Sequence, residues 1–421
     1  MKIDFNNKKK FIIRKKCVLC GSSDLSEVLN FKKTPLANSY VSKQNIFENL
    51  FPLVCLFCDN CKHLQLKHLI NPKILFENYL YVSGTSPVLA QHFKNYFLKI
   101  LSKKNLNKKK DKILDIACND GTFLEFFKKK GFSKVIGVEP AKNLRYLNKK
   151  KKIDINTIFF NYKESFKLKK KYKLFKIITA NNVFAHVPDL KDFALGVKNI
   201  LSNDGLFIFE VSYLKDVIKK LTFDTIYHEH MSYHSLFPLI KFFDSINLKV
   251  LDFDLVEAQG GSIRVYVGHK NQRNNNKKIQ KQILLEKKMG LLNKNIFNKF
   301  FKRIQTQKKI IKKFININIS RKKNILIGYG APAKVTTFCY AFNLNYKHIK
   351  LIVDDSYLKQ GKFTPGKNIK IIKFEELKNL KFDYLIILAW NFAKPIIKKL
   401  NKNFKNRKFK IIVPFPKVKI I

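Results

Sequence analysis

Residues 112–131, KILDIACNDGTFLEFFKKKG, leave little freedom in what this chain can become. A short apolar run ends on a turn made of Asn119, Asp120 and Gly121, and an amphipathic helix with Phe123, Leu124 and Phe127 on one face follows at once. An apolar strand that feeds directly into a helix belongs in a parallel sheet covered on both faces. The pattern recurs: KVIGVEPA is a second strand closing on Glu139, FKIITANNVFAHV a third, GLFIFEVSYL a fourth, and GGSIRVYVG at 260–268 a later one. Residues 73–270 therefore read as a doubly wound parallel sheet of the α/β class, which binds ligands at the carboxyl ends of its strands. Residues 271–320, rich in Lys, Asn and Ile, have helical spacing, and NILIGYGAPAK, IKLIVDDS, DYLIILAW and KFKIIVPF then restart the alternation. The span 271–421 is thus a helical linker followed by a second, Rossmann-like α/β domain.

The first 72 residues follow another logic. They hold five of the seven cysteines, including Cys17-x2-Cys20 and, after 37 residues, Cys58-x2-Cys61. Each pair can form a tight knuckle with two thiolates facing one ion, and two knuckles complete the tetrahedral four-thiolate sphere of structural zinc. The long spacer predicts a small β-domain between them. Cys55 lies in the strand-like run 51–57 and reads as a buried residue. With all four ligands from protein, the metal is structural.

Charge is the loudest feature and the least informative. The formal net charge is +54, yet only seven of the 84 basic residues are Arg, the side chain that nucleic-acid recognition favours. The lysines are spread over the chain and rise together with Asn, Ile and Phe, so most read as solvated surface that would still steer an anionic substrate. No apolar run approaches the roughly 20 residues of a membrane span. The N-terminus MKIDFNNKKKF lacks the apolar core of a secretory signal. A cytoplasmic protein with no membrane partner is expected.

The turn after the first central strand bears on the cofactor. Asp115 at the strand end, then Asn119-Asp120-Gly121, then Glu139 closing the next strand is the layout of class I S-adenosylmethionine (SAM) methyltransferases, where the second-strand acid accepts the ribose hydroxyls. A dinucleotide site would want G-x-G-x-x-G there. Gly328-x-Gly330-x-x-Ala333, with Asp354 and Asp355 closing the following strand, could hold NAD or a nucleotide sugar in the last domain. FDTIYHEH, residues 223–230, follows the fourth strand, and His228, His230 and His234 are three of only nine histidines. The spacing is poor for zinc. A general base with an orienting Glu or Tyr makes better chemical sense, and His186 should lie on the same carboxyl edge.

Taken in order, CxxC…CxxC, YLYVSGTS, DIACNDGTFLEFF, TANNVFAHV, FDTIYHEHMSYHS, GGSIRVY, GYGAPAK and VDDSYLKQGKFTPG resemble the sugar C-methyltransferase family, whose members methylate carbon 3 of nucleotide-linked 4-keto-deoxyhexoses. The resemblance runs from about residue 17 to about residue 395. It implies a three-domain monomer with zinc on Cys17, Cys20, Cys58 and Cys61. It implies SAM contacts from Asp115, Asn119, Asp120, Gly121, Glu139, Asn161 and Asn181. His230 takes the base role, with Glu229, Tyr227 and His186 as further catalytic groups. Tyr81, Ser83, Lys334 and Asp355 would hold the nucleotide-sugar substrate, and no specific nucleic-acid partner is expected. Three alternatives are a zinc-ribbon nucleic-acid methyltransferase, a non-catalytic polyanion-binding protein and an NAD-dependent sugar oxidoreductase. The first lacks an NPPY-type motif, and the last rests on Gly328–Ala333 alone.

Overall fold

A computed structural model describes residues 10–44, 48–77, 79, 82–404 and 408–421. Its largest sheet has seven strands in the spatial order Leu248–Val256, Ser262–His269, Leu201–Ser212, Phe175–Asn181, Lys112–Ile116, Lys134–Val138 and Asp154–Asn156. Six run parallel; Ser262–His269 is antiparallel to both neighbours. The wholly parallel sheet expected from sequence is therefore interrupted once. The reason is local: Leu248–Val256 and Ser262–His269 are joined by only five residues, too few for a parallel crossover. That turn needs Gln259, Gly260 and Gly261 at φ +54°, +89° and +130°. The strand order reverses between Lys112–Ile116 and Phe175–Asn181, which opens a crevice at their carboxyl ends.

The C-terminal sheet repeats the design. Its order is Lys370–Ile372, Leu351–Val353, Leu326–Tyr329, Tyr384–Ile387, Lys410–Val413 and Lys419–Ile420, all parallel but the last. Here the reversal falls between Leu326–Tyr329 and Tyr384–Ile387, so the GYGAPAK turn and Trp390 occupy the crevice. A Cβ on Gly330 would lie 2.3 Å from that of Ala389, so close packing between adjacent strand ends accounts for this glycine.

The N-terminal sheet is antiparallel, in the order Ser232–Tyr233, Leu64–Leu66, Phe51–Cys58 and Leu25–Thr34. Its first strand comes from the segment that ends FDTIYHEHMSYHS, so the chain leaves the central sheet to complete this one. The sheet and the C-terminal one share a hydrophobic core with helix Asn295–Ile315, whose Phe297, Phe300, Ile304, Ile311 and Ile315 form its buried stripe. The Thr337 hydroxyl donates to the Ile226 carbonyl at 2.7 Å, and the Tyr40 hydroxyl donates to that of Ala331. No helix among the described residues is long and apolar enough to cross a membrane.

Helix Asn276–Met289 has one buried acid, Glu286, which accepts from the Tyr213 hydroxyl and the Leu236 N–H, both at 2.6 Å, and from the Phe237 N–H at 3.0 Å. It satisfies the first donors of helix Leu236–Ser245 from outside that helix. Glu286→Ala leaves three buried donors unpaired and should lower unfolding free energy by about 3 kcal/mol in denaturant titration. Glu286→Gln, which keeps one acceptor, should lose less.

Candidate active site

The carboxyl edges of the two large sheets face one cavity of about 830 Å³, with Asn38, Asn71, Pro72, Lys73 and Phe76 of the N-terminal part on its rim. Its cofactor-side wall comes from the central sheet. Asp115 is 3 % exposed; its Oδ1 accepts from the Thr179 hydroxyl at 2.6 Å and from the Asn181 side-chain amide at 3.4 Å. Burial pushes this carboxyl up to about 8, opposed by Thr179 and reinforced by the charge of Glu139. Glu139 accepts the Asn119 N–H at 2.7 Å and the Ala141 N–H at 2.8 Å, leaving each oxygen a further lone pair; burial raises it too, against those two bonds. Two carboxyls destabilised as anions are completed by a cationic ligand. Asn181 Oδ1 is buried without a hydrogen-bond partner, an acceptor that an ammonium group would satisfy. The Asp115 and Asn181 acceptors fit the amino-acid end of SAM, and the remaining lone pairs of Glu139 fit its ribose hydroxyls. Ala117 and Asn119, at φ +55° and +54°, hold the left-handed conformation that glycine more often supplies, which brings the backbone to the cavity.

Asn161 lines the same wall, where its Oδ1 caps helix Tyr162–Tyr172 by accepting from Glu164 N–H. Asp120 and Gly121 do not line it. The Asp120 carboxylate accepts from Thr122 Oγ1 at 2.8 Å, Gly84 N–H at 3.1 Å and Lys151 Nζ at 3.1 Å, so it braces the turn from behind. Ser83 does line the cavity, and its N–H donates to Asn119 Oδ1.

The opposite wall is the FDTIYHEH turn. The Thr225 carbonyl can only accept, so its 2.6 Å contact makes His230 Nδ1 the donor and leaves a lone pair on Nε2. The Tyr227 hydroxyl donates to that nitrogen at 2.9 Å. Burial lowers the His230 imidazole to about 4; the Thr225 carbonyl raises it and the Lys334 ammonium lowers it further. His186 stacks on His230 at 5.1 Å and on Phe76 at 5.6 Å; burial and the His230 charge hold it well below the ordinary histidine range. Glu229 sits just behind the wall, accepting from the Asn38 amide at 2.7 Å and the Tyr79 hydroxyl at 3.3 Å, and burial raises it to about 7. His228 and His234 point elsewhere. Their Nε2 atoms meet the Pro52 and Phe184 carbonyls at 3.3 Å, and Ser232–Tyr233 between the last two histidines is strand, so the i, i+4 spacing lies on no helix.

The C-terminal sheet supplies two buried cations. Lys334 donates to Asn391 Oδ1 at 2.6 Å and lies 3.9 Å over the ring of Trp390, whose Nε1 donates to Asp224 at 2.7 Å. Lys359 donates to the Ala331 carbonyl at 2.8 Å. Burial lowers both, Lys334 to about 8. Asp355 is a correction: it is exposed, accepts from Lys399 at 2.8 Å, and does not line the cavity. Its neighbour Asp354 holds the GYGAPAK turn by accepting the Ala331 N–H. Tyr81 lies outside the described residues. Asn38, Asp224, Lys359 and Trp390 escaped the sequence reading, although all but Asn38 stood inside quoted stretches.

About the metal the geometry is simple. Cys17, Cys20, Cys58 and Cys61 bring their sulfurs within 4.8 Å of one another, with Cys17–Cys61 at 3.5 Å and Cys20–Cys58 at 3.6 Å. Tetrahedral Zn–S bonds near 2.3 Å require S···S separations of about 3.8 Å, so the four thiolates fit that ion. Each knuckle closes on a left-handed residue, Gly21 and Lys62. Cys55 is buried in strand Phe51–Cys58, outside this group.

Five buried imidazoles, those of His63, His186, His228, His230 and His234, are all lowered by burial. At these five sites the native state therefore binds fewer protons than the unfolded chain below pH 6.5, opposed by the raised carboxyls of Asp115 and Glu229, which bind more. The imidazoles' share of stability should fall from pH 6.5 toward 4, by roughly 1.4 kcal/mol per pH unit for each fully shifted imidazole. Denaturant melts at pH 7.5 and 5.0 measure it. His234→Phe should lose less stability than the parent between those two pH values, and an equal loss would contradict a buried neutral imidazole at that position.

Three family models match the chain: a zinc binding domain at residues 17–76, a methyltransferase domain at 89–252, and the C-methyltransferase C-terminal domain at 257–416. The C-methyltransferase NovU of Streptomyces niveus is 31% identical over 408 residues, 96% of each chain. Among solved structures, a SAM-dependent methyltransferase from Anabaena variabilis aligns at TM-score 0.34, with 13% identity over 42% of this chain and 84% of its own. The magnesium protoporphyrin IX methyltransferase of Synechocystis, with SAM bound, aligns at 0.32, with 10% identity over 42% and 78%. With the four-thiolate cluster and the cation-seeking pocket, the sequence matches show that the chain belongs to the C-methyltransferase family, as a SAM-dependent enzyme with an N-terminal zinc-binding domain.

Proposed function

We propose that this enzyme methylates carbon 3 of a nucleotide-linked 4-keto-deoxyhexose through a base-generated enolate. The observation that carries the reading is the fixed tautomer of His230, which leaves an Nε2 lone pair, already bridged to the Tyr227 hydroxyl, in a cavity walled by both sheets. SAM supplies the methyl as a sulfonium electrophile, so the protein's task is to make carbon 3 of the sugar nucleophilic. A ketone at carbon 4 acidifies the neighbouring C–H, whose proton passes to His230 Nε2. Tyr227 can then turn its O–H from Nε2 to the developing enolate oxygen, with His186 beside it, a contact of the kind worth about 3 kcal/mol in the transition state. An imidazole near 4 is a weak base; an anionic diphosphate beside Lys334 would offset the cation that lowers it. Lys334 and Lys359 are the buried cations for that diphosphate. Glu229 would act from behind the wall by orienting Asn38 and Tyr79 toward the sugar, Ser83 would line the substrate side, and Tyr81 is proposed there from the resemblance alone. Asp115, Glu139, Asn119, Asn161 and Asn181 would hold SAM.

The test is incubation with SAM and a panel of nucleotide-4-keto-6-deoxyhexoses in deuterated water, read by mass spectrometry. Methyl gain on one sugar, with deuterium entering at carbon 3 when SAM is withheld, supports both substrate and enolate. SAM turnover onto oxygen or nitrogen of any panel member, with no exchange at carbon 3, would overturn the mechanism.

A further inference from the structure

Gln65 is fully buried and touches both the metal end and the catalytic end of the molecule. Its side-chain Oε1 accepts the N–H of Val18, inside the first cysteine knuckle, at 2.9 Å. A backbone N–H can only donate, so the amide orientation is determined. Its backbone stands opposite Ser232 in the short strand that follows YHEHM, and the next residue, Leu66, donates to the Met231 carbonyl at 2.9 Å. Met231 and Ser232 in turn donate their N–H groups to the Ala185 carbonyl, at 2.8 and 3.1 Å, one residue before His186. A continuous run of hydrogen bonds therefore leads from the zinc knuckle through residue 65 to the backbone beside both imidazoles.

We infer that Gln65 is a positioning residue that ties the first cysteine knuckle to the loop carrying His230, so that zinc occupancy governs the order of that loop as well as of the N-terminal sheet. The inference rests on the reading of His230 and His186 as working groups, but its test uses no acceptor and no turnover. Failure of the sugar panel would leave it standing, and its failure would leave the sugar reading standing.

The experiment compares the zinc-loaded full chain with its Gln65→Met and Gln65→Glu variants. Amide exchange at residues 229–234 is followed by mass spectrometry, and the His230 Nδ1–H signal by NMR of histidine-labelled protein. Zinc content and SAM affinity are measured alongside. Gln65→Met, which fills the space without an acceptor, should speed exchange at Met231 and Ser232 about tenfold and weaken the His230 signal, an effect of the size one lost buried hydrogen bond predicts. Zinc should stay at one per chain and SAM affinity within about twofold. Gln65→Glu retains an acceptor for Val18 but buries a carboxyl, so it should hold exchange at Met231 and Ser232 nearer the parent than Gln65→Met does while lowering overall stability. Parent-like exchange in Gln65→Met would overturn the inference, as would equal loss of protection in the Lys112–Ile116 strand, which would mark a general packing defect. If Gln65→Met does not fold, graded zinc removal from the parent chain decides: protection at Met231 and Ser232 should fall in step with zinc and ahead of that in the central strands, and independence from zinc, or a fall no earlier than theirs, would overturn it.

Discussion

His230→Ala should reduce methyl transfer about 1,000-fold while leaving SAM affinity within a factor of about two. A general base contributes roughly 10²–10⁴ in rate, and His230 contacts Tyr227 and Thr225 rather than the Asp115–Asn181 wall that faces the cofactor. His230→Asn is the sharper variant. Its amide can still donate to the Thr225 carbonyl, so the turn keeps its anchor, but it has no basic nitrogen. Both variants should therefore lose solvent exchange at carbon 3, and His230→Asn should do so without loss of thermal stability. The pH profile adds a second readout. With the imidazole lowered to about 4, it remains a neutral base through the ordinary acid range, so in the free enzyme the acid limb attributable to it should fall well below 6.5. Activity would be lost as pH falls through that limb. Full activity in His230→Asn would transfer the base role elsewhere, with Glu229, raised to about 7, the next group to test.

Removing the metal should have the largest effect on stability. Structural zinc sites bind with apparent free energies of about 10–16 kcal/mol, and that energy is folding energy. All four sulfurs lie within 4.8 Å of one another, the convergence that one tetrahedral ion requires. Cys58→Ser or exhaustive chelation should therefore cost several kcal/mol and lower the melting temperature in calorimetry, with recovery when zinc is returned. The loss should spread. Cys17, Cys58 and Cys61 pack into the core that holds Leu114, Phe209 and Phe243 of the central unit. The N-terminal sheet also shares a second core with helix Asn295–Ile315 and the C-terminal sheet. An unchanged melting temperature in metal-free protein would show that the knuckles stand without an ion.

The alternation of apolar strands with amphipathic helices was enough to announce the α/β class, because side-chain burial on both faces of a strand leaves a local trace in the residues of that strand. The two C-x2-C knuckles were equally legible, since each pair must lie within one turn to share an ion. The reversed strand Ser262–His269 was not: its apolar pattern is the same in either direction, and only the length of the connection separates them. Strand Asp154–Asn156 was missed for want of length, three residues among lysines.

Within the site, the sequence by itself determined the chemical vocabulary: an acid closing each of two neighbouring strands, an amide turn, a tyrosine and histidines in eight residues, and a lysine after GYGAPA. Tertiary structure decided which of these meet. His228 and His230 are two residues apart, yet one faces Pro52 and the other the cavity, because the intervening turn is anchored at Thr225 and then captured by the strand Leu64–Leu66. Asp354 and Asp355 are adjacent, yet the first takes the Ala331 N–H and the second the Tyr329 hydroxyl and the Lys399 ammonium. Asn38, Asp224 and Trp390 carry no local pattern, since their partners lie more than a hundred residues away. Periodicity records what a residue does within its own strand or helix. Convergence of two sheets and the N-terminal part on one cavity is set by their packing, and packing of distant segments leaves no spacing to read.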